Sequence, residues 1–408
     1  MMSTGVNMGR QGTIAYWLLF MLSLVTGNLD RRGGNVYSLG FYPAAKAGRV
    51  RPTLSFEDTP HGPVRRTRGS LPGNLLADMI LQDEDPIRAL VVTAGNPLLS
   101  IGGEGRMREA LEKLELLVVV DLFRNATGEV AHYALPSADM LERRDVNLCG
   151  LGMQHEPFVQ YTEAVVPPRD QRREEWWIFA RLEQAMGFRS VLDAGLDPPL
   201  FSRIDHMLSS VGLSTHKLLD AEDRTAVLPP LEPGRFFEDW IQTDDRRVDC
   251  CPGAFRRSGA LDRVEEIFEQ LRAEPEDQLK LITRRELQMH NSWYQNVERF
   301  QKRGRGRNPL HVHPEDAAAR GIAEGDVVRI AGPGGEIEAE VAFDDALRLG
   351  VVAMSHGWGN RDTSGLRVAR RHPGVNANRL LPSGPGSFEP LSNQAFMTGI
   401  PVELTRHS

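Results

Sequence analysis

The densest set of ligand-capable side chains lies between Thr283 and Asn296. Thr283, Arg284, Arg285, His290, Asn291, Ser292 and Asn296 bring a hydroxyl, two guanidiniums, an imidazole and three amide or hydroxyl groups into fourteen residues. Such a set suits a polyanionic ligand. Arginine binds pyrophosphate bidentately, and amides pair with the edges of heterocyclic rings. From the residues alone, a hydrated loop after a strand is the slightly better fit.

Two further groups carry chemistry. Gly95-Asn96-Pro97 is a turn after the apolar run Arg88–Thr93, and Asp121 ends a second run, Leu116–Asp121. The C-terminal edge of parallel strands is where open α/β sheets take ligands. Asn96 and the turn's N–H groups can meet a nucleotide there, and Asp121 can accept from ribose hydroxyls or a base edge. A plain turn and a cap are the structural alternatives. His356-Gly357-Trp358-Gly359 follows a third apolar run. Its glycines permit close backbone approach to a planar ligand, or ordinary barrel packing. His311 and His313 alternate as strand residues do. No third ligand is evident beside them, so they read as strand-face histidines and not as a metal site. Neither a nucleophile elbow nor a P-loop occurs, so no catalytic residue and no metal ligand is assigned.

The elements that must position these groups fall in two styles. From 76 the pattern is α/β. Strands are expected at Arg88–Thr93, apolar on both faces, at Leu116–Asp121 and at Ala134-Leu135-Pro136, with a helix at Met107–Leu114. This spacing implies a right-handed crossover in a parallel sheet. An amphipathic helix follows at Glu174–Met186. Residues 190–276 read as a linking region, with short helices at Phe201–Val211 and Leu261–Arg272. From 278 the chain turns to short strands. Gly332-Pro333-Gly334-Gly335 is a hairpin signal, followed by alternation in Glu336–Phe343. Short strands with turns between them predict a small barrel. Residues 35–75 read as a long irregular connection.

Composition narrows the class. The chain has 408 residues, enough for two or three domains, with 41% apolar and 25% charged residues. A net charge of −7 argues against a general nucleic-acid binder. Three cysteines, Cys149, Cys250 and Cys251, cannot supply the four thiolates of an all-cysteine iron–sulfur cluster, and their scarcity suits a reducing cytoplasm. Ile14–Val25 is apolar except for Ser23. It imitates a signal peptide, is too short to span a membrane, and is read as a buried core helix stopped at Thr26-Gly27-Asn28.

The order of these motifs resembles the molybdopterin oxidoreductases, the dimethyl sulfoxide reductase and formate dehydrogenase family. The apolar helix ending in Thr26-Gly27-Asn28-Leu29, the Gly33-Gly34 turn, and Asp121, Phe123, Thr127 and Leu135-Pro136 after the second strand all carry it. Gly374-Val375-Asn376-Ala377-Asn378 and the ending Gly399–Leu404 are similar as well. Gly128 stands where the family usually has alanine. The resemblance implies an α/β fold: a Rossmann-like parallel-sheet domain in 1–190, a linking region in 191–277, and a double-psi type β-barrel in 278–408. It also implies a molybdopterin guanine dinucleotide as cofactor. On this resemblance Asn96, Ser100 and Asp121 meet a guanosine. Thr283, Arg285, His290, Asn291 and Ser292 meet phosphate and pterin, and His356, Gly357, Trp358, Asn376 and Asn378 meet a pterin.

The resemblance covers about the C-terminal half of a family member. The iron–sulfur cysteines and the molybdenum ligand are expected in the other half, and Cys149 does not replace that ligand. Three readings follow: part of a split or truncated molybdenum oxidoreductase, a non-catalytic cofactor-binding module, or a degenerate fragment. An N-terminal half or an electron-transfer subunit is the partner the first implies, with no nucleic acid and no membrane span. Purified alone, the chain is expected to show no oxidoreductase turnover. Stoichiometric molybdenum with turnover in the isolated chain would contradict this.

Overall fold

The computed structural model describes residues 4–36, 56–67, 69–147, 154, 156–194, 200–209, 212–228, 233–241, 243–302 and 306–406. The chain forms two compact units. One comprises Met1–Trp17, Leu54–Leu135 and Gly253–Ser408, and the other Leu18–Thr53 and Pro136–Pro252. These units cut across the three-part division expected from sequence.

In the first unit, β1 (Phe56–Thr59) and β2 (Gly62–Arg65) form an antiparallel hairpin inside the stretch expected to be irregular. Then β3 (Ala89–Thr93) pairs in parallel with β4 (Leu116–Asp121), and β5 (Tyr133–Pro136) completes the sheet in the order β3-β4-β5. The helix Glu104–Lys113 is the crossover, and it buries Met107, Ala110 and Leu111 against Leu117 and Val119 of β4. The central strand β4 is apolar and buried. The edge strand β3 alternates, with Val91 at 47% exposure, which corrects the expectation that it is buried on both faces: among the described residues one face is left largely uncovered.

In the second unit, β6 (Asp145–Val146), β7 (Phe158–Thr162) and β8 (Thr225–Val227) form a small antiparallel sheet. The helices Leu200–Ser209 and Thr215–Asp220 bury Ile204, Leu208 and Leu218 with Val159 and Tyr161. Part of the region read as linking is therefore core-forming. Cys149 lies outside the described residues.

The first unit also holds the barrel. Its strands are β9 (Leu279–Arg284), β10 (Leu310–Val312), β11 (Val327–Gly332), β12 (Gly335–Phe343), β13 (Val351–Ser355) and β14 (Ile400–Arg406), closed in the order β10-β12-β11-β14-β9-β13. The predicted hairpin is β11–β12, with Gly332 opposite Gly335. Val328, Ile330, Leu310 and Val352 are fully buried in its core. Burying each such side chain favours folding by roughly 1.5–3 kcal/mol.

The apolar N-terminal helix forms as predicted, over Gly12–Val25, but only Gly12 and Ile14 are buried. Leu18, Leu22 and Val25 are 54%, 57% and 76% exposed, which corrects the reading as a core helix. No helix among the described residues is long and apolar enough to cross a membrane. Exposed apolar side chains favour self-association. Leu18→Lys with Leu22→Lys should therefore reduce aggregation in light scattering. Stability should stay within about 0.5 kcal/mol, as surface changes do. A large loss of stability would show that the face is covered in solution.

Candidate functional site

At the mouth of the barrel, β9 and β13 run parallel, with Thr283 opposite Met354 and Arg284 opposite Ser355. The two strands therefore end together, and Arg285 and His356 leave side by side. Nη1 of Arg285 donates to Oδ1 of Asn291 and lies 3.4 Å from Nε2 of His356. That Nε2 is 3.2 Å from the same Asn291 oxygen. His290 and Asn291 both take positive φ, 42° and 66°. Asparagine and histidine are among the residues that tolerate this region. Gly357 has φ 90°, and a Cβ there would lie 1.4 Å from the Asn291 carbonyl oxygen. Only glycine permits that approach, so the two loops lock together.

The remaining predicted members of this stretch differ in what they offer. Ser292 is exposed, beside Gly357. His290 stacks on Tyr294 at 5.4 Å. Thr283 donates to the carbonyl of Met397 at 3.4 Å. Asn296 accepts from the N–H groups of Val368 and Ala369, the first turn of the helix Arg367–Arg371. His311 sits on β10, and His313 lies just past it, where its ring accepts from the N–H of Glu315. Among the described residues no group of three or more His, Cys, Asp or Glu side chains could hold a metal ion.

Trp358 is 1% exposed. Its ring packs where a Cβ at Gly374 would come within 2.7 Å, and its Nε1 donates to Oγ of Ser355 at 3.0 Å. Of the two readings given to this turn, the ring itself takes the packing one: it supports the His356–Gly359 turn from inside. Asn376 and Asn378 are also buried. Asn376 donates to Oε2 of Glu104 at 2.8 Å and accepts from the N–H of Asn378 at 3.1 Å. Asn378 donates to the carbonyls of Leu99 and Ser100 at 2.9 and 3.3 Å. Both amides therefore join the barrel to the α/β sheet.

At the sheet edge, Asn96 Oδ1 accepts from the N–H and hydroxyl of Thr127 at 3.2 and 2.8 Å. Asn125 donates to Asp121 Oδ2 at 3.0 Å and to the carbonyl of Gly95 at 3.1 Å. Asn96 and Asp121 are thus brought together through Thr127 and Asn125, and Ser100 ends the short helix that starts beside Asn96. A cavity of about 650 Å³ opens where these turns face the barrel, lined by Leu99, Glu104, Ala126, Gly359, Asn376 and Arg379 among others. Asn376 alone of the predicted residues lines it. Arg285, His356 and Asp121 lie outside its wall, so their case rests on the hydrogen-bonded cluster and not on the cavity.

The residues missed from sequence are structural amides. Asn308 donates to the carbonyls of Ser355 and Val375 and accepts from the N–H of Val375. Gln295 donates to the carbonyls of His372 and Pro373 at 3.1 Å, and accepts from Asn360 at 2.6 Å. Gln295 lies inside the Thr283–Asn296 stretch, so position was a signal for it, whereas Asn308 had none.

Two features fit an anionic heterocyclic ligand at the mouth. The first is the Arg285 guanidinium, held by a neutral amide and not by a carboxylate. The second is Nδ1 of His356, which is buried without a partner. A buried polar atom left unpaired is uncommon in a finished site. Burial, and then the charge of Arg285, hold His356 below its ordinary 6.5. Burial likewise raises Glu286, against the Ser355 hydrogen bond and the charge of Arg284.

The family described as "Molydopterin dinucleotide binding domain" matches residues 279–395, and "Molybdopterin oxidoreductase" matches residues 1–185. The trimethylamine-N-oxide reductase of Haemophilus influenzae is 24% identical over 86% of this chain and 48% of its own length. The nitrate reductase of Klebsiella oxytoca is 24% identical over 98% and 47%. A dimethyl sulfoxide/trimethylamine N-oxide reductase of Rhodobacter capsulatus is 23% identical over 88% and 49%. The chain spans about half the length of these relatives. In fold it is similar to acetylene hydratase from Pelobacter acetylenicus, with a TM-score of 0.63 and 19% identity over 82% of this chain and 46% of that one.

The depressed His356 has a signed consequence. Below 6.5 the unfolded chain takes a proton there before the folded chain does. Stability contributed by neutral His356 is therefore present above the ordinary value and lost as pH falls through the depressed one. His356→Gln should remove this part of the acid-side loss in melts recorded across pH. An identical pH dependence in both proteins would show that the ring is not held neutral.

Proposed function

The chain belongs to the molybdopterin oxidoreductase family, and we propose that it is the dinucleotide-holding part of a molybdenum enzyme that moves two electrons to or from a small substrate. The cofactor is the molybdopterin guanine dinucleotide. When bound, it supplies the two-electron chemistry at molybdenum. The work of this chain is to bind and orient it.

The Arg285–Asn291–His356 cluster carries the proposal. Its guanidinium is aimed by an amide, and a charge-assisted bond to phosphate needs such aiming. We assign phosphate binding to Arg285, with Thr283 and Ser292 beside it. His290, Asn291, His356 and the backbone at Gly357 face the pterin side, with Trp358 holding their turn from behind. Asn96, Ser100 and Asp121 take the guanosine at the sheet edge. Asn376 and Asn378 tie that edge to the barrel and so fix the span between the two ends of the ligand.

On this reading the sheet is Rossmann-like, the barrel is of double-psi type, and 278–408 is the cofactor-binding domain. The metal ligand and an iron–sulfur cluster come from the half of a family enzyme that this chain does not span, and the assembly works in the cytoplasm. An electron-transfer subunit is the further partner. The relatives' substrates, trimethylamine N-oxide, dimethyl sulfoxide and nitrate, set the class of small oxidised molecule to try first.

In a reconstituted full-length enzyme, Arg285→Ala should weaken the cofactor by about 1.5–3 kcal/mol, the scale of a hydrogen bond to a charged group. Guanine nucleotide released by acid from the purified protein measures occupancy. Undiminished release at limiting cofactor removes Arg285 from the site.

A further inference from the structure

Directly behind the Arg285–His356 pair lies a second, buried contact. Glu286 follows Arg285, and Ser355 precedes His356. The Ser355 hydroxyl is 3.0 Å from Oε2 of Glu286 and 3.5 Å from the carbonyl of His356. A hydroxyl has one proton, and the shorter partner wins it. The same oxygen accepts from Nε1 of Trp358 at 3.0 Å, and the Ser355 carbonyl accepts from Asn308 at 3.1 Å. Ser355 is 2% exposed, so water does not substitute for these partners.

We infer that Glu286 and Ser355 are positioning residues: their contact clamps the ends of β9 and β13 at a fixed spacing and so sets His356 against Arg285. The inference rests on the cofactor role proposed for His356 and Arg285, and it adds two residues that need not touch the ligand. The geometry requires it to act at this place. The strand ladder stops at the Arg284–Ser355 pair. Beyond it, side-chain contacts and the close approach of Gly357 to Asn291 hold the two strand ends together. Trp358 and Asn308 pin Ser355 from the other side, so the clamp does not slide. Burial raises Glu286, against the hydrogen bond from Ser355 and the charge of Arg284.

The test reads the His356 ring directly. Its titration is followed by NMR on the full chain with labelled histidine, in wild type, Ser355→Ala, Glu286→Leu and Glu286→Gln. Ser355→Ala and Glu286→Leu should loosen the turn and move His356 up toward its ordinary 6.5. Glu286→Gln keeps a hydrogen-bond acceptor and should leave it in place. Loss of a carboxylate charge alone cannot raise a neighbouring imidazole's pKa, so an upward shift reports movement of the turn. An unchanged His356 in both Ser355→Ala and Glu286→Leu overturns the inference, as does a Glu286→Gln shift equal to that of Glu286→Leu. If Ser355→Ala does not fold, Ser355→Cys, close in size but weaker in hydrogen bonding, is read in the same way. Cofactor binding is scored separately, by guanine nucleotide released from the reconstituted enzyme. A His356 shift with no nucleotide in wild type sinks the cofactor reading and leaves the clamp standing. Nucleotide present with a fixed His356 does the reverse.

Discussion

The loops at the barrel mouth are held by buried side-chain amides, and the rest of the site depends on them. Strand ladders end at Arg284 and Ser355, and beyond them the backbone has no regular partner. Buried carbonyls must still be paired. Asn308 pairs those of Ser355 and Val375, Gln295 those of His372 and Pro373, and Asn378 those of Leu99 and Ser100. The Pro373 carbonyl also accepts from the N–H of Gly359, and any buried carbonyl left bare would cost about 1–3 kcal/mol. The amides therefore do more than decorate loops. They decide which loops can coexist, and so where Arg285 and His356 point.

The electrostatics follow from the same packing. Burial pushes His356 toward its neutral form and Glu286 toward its protonated one. Two groups that would otherwise carry opposite charges are both moved toward neutrality, for one cause. The guanidinium of Arg285 keeps its charge whatever the pH. An exposed guanidinium held by a neutral amide suits an anionic ligand better than a balanced ion pair does, because an ion pair already satisfies its own charge.

Much of the fold was legible because it rests on local patterns. The β11–β12 hairpin came from Gly332–Gly335, and the β3–β4 unit from two apolar runs of the right spacing. Exposure was less legible, since it depends on neighbours the pattern does not name: β3 is an edge strand, and the Gly12–Val25 helix is bare on one side. The β1–β2 hairpin was hidden by a short, charged sequence without apolar alternation. At the site, residue types pointed to Arg285, His290, Asn291 and His356, which lie in one loop pair. The roles of Trp358, Asn376 and Asn378 were not legible. Their partners lie far along the chain, as with Asn378 and Leu99, 279 residues apart.

That separation explains how the barrel mouth and the sheet edge are tied together within one compact unit. Asn376 reaches Glu104 on the crossover helix, and Asn378 reaches the turn that follows Asn96. Gly359, in the turn that carries His356, packs where a Cβ would come within 2.7 Å of Asn376. A continuous series of close contacts therefore runs from Asn291 through Gly357 and Gly359 to Asn376, Asn378 and the sheet edge. The left-handed backbone at His290 and Asn291 lies at one end of it, in a region these residue types tolerate. The Arg285 contact and the close approach of Gly357 hold it there. Folding has thus already met the cost of ordering these loops, and a ligand that binds them does not meet it again.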